Sequence, residues 1–330
     1  MSSLRQHILN MLKEATPGYL SGEKVARQFS VSRTAVWKSI NSLKEEGYYI
    51  EGSSRLGYRL LYIPDSLYPA EITNTLNTSL VAASTELVYH YTSVDSTNEV
   101  LKQLSERDIK EGTVIVAEEQ TKGRGRRERS WFSPQKGGIY LSLLLKPKVS
   151  PEETPLFSLL SAVAITKGIK KILPNLALGI KWPNDIFINN RKICGILIDL
   201  KAEAELLHQV IIGIGINVNI APGDFPPELK DTATSLYIQN NEQKVPRSKL
   251  AASILEELEG YYLLYLSQGA SPIIAEWKKY NITLDKKVTV TSVQRSLEGY
   301  TRDIDLNGAL LVEIENGSLI RCFAGEVSLS

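Results

Sequence analysis

The spacing of apolar residues changes character twice along this 330-residue chain, and one layered domain cannot accommodate the three patterns. Helical spacing governs the first 47 residues, and a hairpin-like alternation closes the segment at residue 64. Short apolar strands alternating with helical stretches follow from about residue 85, and from about Asp285 only short strands between tight turns remain. A chain of this length also exceeds the size, about 250–300 residues, at which a single core stops growing. The expected division is 1–64, 65–282 and 283–330, with Pro64 and Asp65 opening a linker.

In the first segment Leu4, Ile8, Met11 and Leu12 repeat at helical spacing, and Ser21 is placed to cap a second helix over Gly22 to Phe29. After a tight turn at Ser30 and Val31, Ser32 caps a third helix whose buried stripe is Val36, Ile40 and Leu43, with Val31 and Val36 as a staple. The remaining face presents Arg33, Thr34, Trp37, Lys38, Asn41 and Lys44. Such side chains hold phosphates and read bases when a helix enters the major groove. The stretch YYIEGSSRLGYRLLYIP then alternates toward a turn and back, predicting a β-hairpin wing with Arg55 at its tip. Nine Lys or Arg stand against five Glu in this segment, a net of +4, while the remainder carries 29 basic and 32 acidic residues. A solvated helical cap would show the same helix pattern. The coincidence of helix-turn-helix, wing and positive charge favours DNA.

The middle segment carries strands at TVIVA, GIYLSLLL, IFI, ICGILIDL and VIIGIGI, together with a helical stripe from Leu156 to Ile172. That alternation predicts a mixed sheet packed on helices. Asn189 and Asn190 suit a tight hairpin turn, which puts Lys192 at the start of a returning strand. Between two of these strands lies EEQTKGRGRRERSW, where Lys122, Arg124, Arg126, Arg127 and Arg129 crowd around Gly123 and Gly125. It is not a dinucleotide loop, because Glu128 occupies the third glycine position and would oppose a pyrophosphate. Read from Gly213, the same fingerprint fails at Val218, and no Gly-Lys-Ser or Gly-Lys-Thr of a Walker loop exists. What remains is a loop whose arginines fork onto phosphate or carboxylate oxygens, expected to be mobile until an anion neutralises it. A solvated surface loop or an extra DNA contact has the same composition.

The motifs SVDSTNEV, GRGRR, KWPNDIFINNRKICGILID, GIGINVN and DTATSL follow one another in an order that resembles the biotin protein ligases. The words SGEKVARQFSVSRTAVWKSI resemble the winged helix-turn-helix of those bifunctional members that also repress biotin synthesis genes. The resemblance covers nearly the whole chain. It implies an α+β multidomain protein: a winged helix-turn-helix, a mixed-sheet α/β ligase domain and a small Src-homology-3-like β-barrel.

The resemblance also implies roles. Ser96, Thr97, Asn98 and Gln120 would hold biotin, whose ureido ring offers two donors and one acceptor. Gly123, Arg124, Gly125 and Arg126 would close over biotin and its adenylate, with Trp131 packing nearby and Lys192 beside the reacting carboxylate and α-phosphate. Arg124, Arg126 and Lys192 are thus the expected catalytic groups. Lys181, Asn184, Asp185 and Asn217 would serve the nucleotide, and Asp185 a magnesium ion. On the DNA side the implied contacts are Ser32, Arg33, Thr34, Trp37, Lys38, Asn41 and Arg55. ATP, Mg2+ and biotin are the implied substrates and cofactors, with biotinyl-5'-AMP as intermediate and corepressor. The implied partners are a biotin carboxyl carrier protein of acetyl-CoA or pyruvate carboxylase, biotin operator DNA and a second copy of the chain. Glu128 and Ser130 depart from the family, which often has glycine and lysine there.

Near the carboxy terminus, KKVTVTSV, YTRDIDL, ALLVEIE and SLIRCFAGEVSL predict four strands with turns at Asn307-Gly308 and Asn316-Gly317. Arg321, Gly325 and Glu326 are either exposed charges of that barrel or neighbours of the nucleotide or carrier. Cys194 and Cys322 form no CxxC, and His7, His90 and His208 have no metal spacing. Apolar runs fall short of the roughly 20 residues of a membrane span, and SSLRQHILNMLKE lacks the apolar region of a signal peptide. A cytoplasmic location without a membrane partner is expected. A lipoate ligase relative and a non-catalytic sensor of an adenylated ligand are the other functions considered; the winged helix and KWPND weigh against the first, and Lys192 with the full arginine loop against the second.

Overall fold

The structure, a computed structural model, describes residues 4–203, 206–291 and 296–329. It divides into two compact units, Met1–Asp65 and Ser66–Ser330.

The first unit comprises helices α1 (Leu4–Ala15), α2 (Gly22–Gln28) and α3 (Arg33–Glu45), then strands β1 (Tyr49–Ser53) and β2 (Gly57–Tyr62). Ser21 and Ser32 cap α2 and α3, their hydroxyls accepting from the backbone N–H of Lys24 and Ala35. Ile8, Leu9, Leu12, Val25, Val36, Ile40 and Leu43 form the core. Leu9 takes the inward place that helical spacing assigned to Met11, which is half-buried. The wing is pinned to the α1–α2 connection by paired backbone hydrogen bonds between Leu20 and Tyr58. That approach requires Gly57: its φ is +104°, and a Cβ there would lie 2.2 Å from the Leu20 carbonyl oxygen.

The second unit is built on a seven-stranded sheet: β3 (Val88–Tyr91), β4 (Val114–Ala117), β5 (Gly138–Leu145), β6 (Gly179–Lys181), β7 (Asp185–Ile188), β8 (Arg191–Glu203) and β9 (Leu206–Asn217). Its order is β3-β4-β5-β9-β8-β7-β6, and only the β3–β4 pair is parallel. Helices α4 (Pro69–Thr73), α5 (Thr97–Ser105), α6 (Thr154–Ile172), α7 (Leu236–Gln239), α8 (Arg247–Gln268) and α9 (Ser271–Tyr280) surround it. α6 is apolar nearly all round and buries Leu159, Leu160, Val163 and Ile169 with residues of β8, β9 and α8. α6 and α8 meet closely at Gly168, where a Cβ would stand 2.8 Å from the Ile254 Cα. On the opposite sheet face α5 is held by a smaller cluster of Leu101, Ile115, Leu144 and Ile211. That face carries the site.

The carboxy-terminal sheet has five strands where the sequence reading has four: β10 (Lys287–Thr291), β11 (Ser296–Ile304), β12 (Leu310–Glu313), β13 (Leu319–Cys322) and β14 (Glu326–Leu329). SLIRCFAGEVSL breaks at a bend over residues 323–324, and its halves lie at opposite edges of the order β13-β12-β11-β10-β14. An apolar run does not reveal such a break, because both halves alternate normally. Gly308 and Gly317, each at φ +80°, make the expected Asn-Gly turns.

Candidate active site

A cavity of about 560 Å3 opens on the α5 face of the seven-stranded sheet. Strand alternation points Gly213, Gly215 and Asn217 of β9 to one side, and Gly195 of β8 pairs with Gly215. A Cβ at Gly213 would lie 2.2 Å from Asn98 Oδ1, and one at Gly215 2.3 Å from Trp131 Nε1. The glycines of GIGIN therefore form a flat floor on which Asn98 and Trp131 rest. Strand-like alternation is the signal for this role, and a search confined to phosphate-loop fingerprints passes it by.

One wall is the start of α5. Ser96 is its N-cap residue, and the Thr97 N–H donates to Gln120 Oε1 at 2.9 Å. Gln120 Nε2 donates in turn to Ser133 Oγ at 3.0 Å, so one amide ties the helix to both ends of the basic loop. Behind Gln120, the Glu118 carboxylate accepts from the Leu67 N–H at 2.9 Å and lies 2.8 Å from the fully buried Arg247. Burial pushes the Glu118 carboxyl up, but His90, Arg247 and the Leu67 N–H outweigh it and hold the group at about 2.

The basic loop folds back on itself through hydrogen bonds from Trp131 N–H to the Gly123 carbonyl at 2.8 Å and from Gly125 N–H to the Arg129 carbonyl at 2.7 Å. The sequence reading left neutralisation of this loop to a bound anion, whereas carboxylates of the chain itself pair with most of its charges. Lys122 pairs with Asp95, Arg124 with Glu99, and Arg129 with both carboxylate oxygens of Glu326 at 2.8 and 2.6 Å. Arg127 donates to the Thr291 carbonyl and approaches Glu326 at 3.6 Å. These acids come from α5, the segment before it and β14, all distant in sequence. Arg126 turns inward and donates to Asn184 Oδ1 at 3.2 Å and to the Gly325 carbonyl at 3.3 Å. Burial lowers its affinity for its proton, with Asp185 opposing that trend.

The third side is the β7–β8 hairpin. Asn189 and Asn190 have φ of 50° and 61°, the left-handed pair a two-residue turn demands. Lys192 N–H donates to the Thr232 carbonyl at 2.8 Å and its carbonyl accepts from Thr234 N–H at 3.0 Å, which fixes the direction of the side chain. Its Nζ stands 2.7 Å from Asp185 Oδ1 and 5.3 Å from the centre of the Trp131 ring. Asn217 Nδ2 reaches the Thr234 carbonyl at 3.1 Å. DTATSL thus buttresses both Lys192 and Asn217. Lys181 is half-buried, and burial lowers its pKa.

The cavity brings together every residue anticipated for biotin and nucleotide except Gly123. That glycine sits behind the wall, where a Cβ would meet the Trp131 carbonyl at 2.5 Å. Gly325 and Glu326, where β14 begins, join the lining, whereas Arg321 pairs with Asp305. In the first unit Ser32, Arg33, Thr34, Trp37, Lys38 and Arg55 are exposed and Asn41 is half-buried. His90 contacts Glu118 and packs at a tilt against the Tyr68 ring, while Trp182 and Trp277 are buried in the core. Among the described residues no cluster of three metal-binding side chains occurs, and no helix is long and apolar enough to cross a membrane.

The chain thus combines a three-helix domain with a wing, a cavity lined by basic side chains on a mixed sheet and a small antiparallel β domain. Residues 91–217 match the biotin/lipoate A/B protein ligase family, 4–59 an HTH domain and 283–330 the biotin protein ligase C terminal domain. The chain is 38% identical to the bifunctional ligase/repressor BirA of Bacillus subtilis (strain 168), over 99% of both chains. It is 29% identical to the protein of the same name from Escherichia coli (strain K12), over 94% of this chain and 92% of that one. The biotin protein ligase from Aquifex aeolicus, solved in complex with biotin and ATP, superimposes with a TM-score of 0.63 at 27% identity, covering 74% of this chain and 98% of that one. The chain belongs to the family of bifunctional biotin protein ligases and repressors.

Proposed function

We propose that the cavity joins biotin to ATP and passes the biotinyl group to a lysine, and that the first unit carries the response to operator DNA. In the first step the biotin carboxylate attacks the α-phosphorus of ATP and pyrophosphate leaves. Two anions approach, so positioning and charge stabilisation suffice and no protein nucleophile is needed. Lys192 lies beside the reacting carboxylate and α-phosphate, and Arg124 and Arg126 cover the adenylate, with Gly123 and Gly125 allowing the loop's close approach. Ser96, Thr97, Asn98, Gln120 and Trp131 hold biotin. Lys181, Asn184, Asp185 and Asn217 take the nucleotide. Mg2+ enters with ATP, since this ion is usually held by one or two carboxylates and by substrate phosphates; Asp185 is the carboxylate assigned to it. In the second step the ε-amine of a lysine on a biotin carboxyl carrier protein, from an acetyl-CoA or pyruvate carboxylase, attacks the acyl carbon and AMP leaves.

The convergence of Lys192 and Arg126 on one cavity beside the start of α5 is the observation that carries this reading. Residues 1–64 form the DNA-binding domain, 65–282 the biotin and ATP domain and 283–330 the barrel. Ser32, Arg33, Thr34, Trp37, Lys38, Asn41 and Arg55 face the operator, and biotinyl-5'-AMP acts as corepressor by favouring a homodimer. The outer edge of β8 supports dimer formation: β7 pairs with it only as far as Gly195, and among the described residues no strand covers it beyond that point. Sedimentation with and without adenylate tests the dimer, and an unchanged monomer fraction at operator-binding concentrations counts against it. The ligase reading is tested by magnesium-dependent exchange of pyrophosphate into ATP. Exchange that requires biotin supports it, and exchange with lipoate alone moves the protein to the lipoate ligases.

A further inference from the structure

Six cations line the cavity, and five of them are engaged within the chain. Arg124 pairs with Glu99, Arg127 and Arg129 with Glu326, and Lys192 with Asp185, while Arg126 donates to Asn184 and to the Gly325 carbonyl. Lys181, the sixth, ends β6 half-buried, and among the described residues no hydrogen-bond or ion-pair partner meets its ammonium. The carboxylates near enough to act on it, Asp185 and Glu326, are those already held by Lys192 and by Arg127 and Arg129. The Phe187 ring, its centre 5.5 Å from Nζ, orients the ammonium without using any of its three donors. Withdrawing a charge from water with its donors unfilled is unfavourable, so the arrangement suits an anion that arrives with a substrate. Strand register places the group. Lys181 faces Asp185 across the β6–β7 pair, Phe187 follows Asp185 on the same face, and Lys192 faces Phe187 across the β7–β8 pair. The two lysines therefore flank β7 from its two sides.

We propose that Lys181, oriented by Phe187, is the pyrophosphate residue of the cavity: it takes the β- and γ-phosphates of ATP and the pyrophosphate they become, and not the adenylate. The inference rests on the ligase reading, which puts Lys192 at the biotin carboxylate and the α-phosphate. Adenosine carries no anion, so what is left for a second ammonium across β7 is the outer end of the triphosphate. As the carboxylate oxygen bonds to the α-phosphorus, the bond from that phosphorus to the bridging oxygen breaks and its electron pair stays on pyrophosphate. A charge-assisted hydrogen bond from Lys181 stabilises the charge that grows there. Phe187 acts through Lys181 and is a positioning residue.

The experiment uses the full-length protein and reads product inhibition of adenylate formation by pyrophosphate beside that by AMP. Lys181→Met is expected to raise the inhibition constant of pyrophosphate, and its KM in exchange, about 10–100-fold, the worth of a hydrogen bond to a charged group, with the AMP constant and the biotin KM unchanged. Phe187→Leu keeps the ammonium but not its orientation and should shift the same constants in the same direction by less, while Lys181→Arg should restore part of the loss. Because the ammonium lacks a partner in the chain, the denaturation midpoint of Lys181→Met should not fall; a lower midpoint would mark a structural role and count against the proposal. Unchanged pyrophosphate constants in a folded Lys181→Met would overturn it. So would an equal loss for AMP, which puts the lysine on the α-phosphate, or slower transfer from purified biotinyl-5'-AMP to a soluble amine, which puts it in the second step. A parent protein with no biotin-dependent exchange would instead overturn the ligase reading itself.

Discussion

Lys192 Nζ and Asp185 Oδ1 stand 2.7 Å apart across the β7–β8 hairpin, and the same ammonium lies over the Trp131 ring. The lysine is thus positioned by a carboxylate, an aromatic face and a backbone clamped to Thr232 and Thr234 before any substrate arrives. Preorganised charge of this kind is typically worth about 3–4 kcal/mol in the transition state. Lys192→Ala is therefore expected to slow adenylate formation by about 10²–10³-fold in single-turnover measurements. Rates near those of the parent would remove Lys192 from the mechanism.

Arg126 bridges the loop to Asn184 and to the Gly325 carbonyl of the carboxy-terminal segment. Arg126→Gly removes both contacts and leaves the loop with less to hold it over the adenylate. The expected outcome is faster escape of free biotinyl-5'-AMP, read by trapping the released intermediate with a soluble amine. Equal retention in variant and parent would show that the closure does not depend on this side chain.

Glu128 occupies φ +60°, next to Arg127 at +54°. The left-handed region costs a non-glycine residue about 1–2 kcal/mol, and glycine's extra freedom in the unfolded chain costs about 0.4–1 kcal/mol in return. Glu128→Gly is expected to raise stability by up to about 1 kcal/mol in denaturant titration. A lower midpoint would mean that the glutamate makes a compensating interaction.

Glu118 titrates at about 2 in the fold against an ordinary value of 4.5. Its folded pKa is depressed, so its contribution is fully present above about pH 4.5 and is lost as pH falls from there toward 2. The difference corresponds to about 3 kcal/mol. Arg247→Met leaves that carboxylate buried without its main cation and is expected to destabilise the unit by about 3–5 kcal/mol at pH 7, with the loss shrinking on acidification. Parallel stability–pH curves for parent and variant would exclude the pair as the cause.

Legibility differed sharply between elements. α1, α2, α3 and the wing were readable because each carries its own signal: a stripe, a cap, a turn. The sheet strands that are apolar throughout, β4, β5 and the body of β8 and β9, were readable for the same reason. β3 and β6 escaped notice, being only four and three residues long and embedded in mixed sequence. The short β14 was merged into its neighbour, although it is the strand that delivers Glu326 to the loop.

What the sequence determined by itself was the three-part pattern and the chemistry on offer: a basic loop, a lysine after a turn, polar residues opening a helix. Each depends on local spacing, which backbone geometry converts directly into a face or a turn. Only the tertiary structure decided how those charges are balanced, because Asp95, Glu99, Asp185 and Glu326 reach their partners from separate segments. It also decided that the glycines of GIGIN are a floor and that Asp199 reaches Asn98, 101 residues away in sequence. Which donor meets which acceptor depends on strand register and close approach across the sheet, and these come into being when the chain packs.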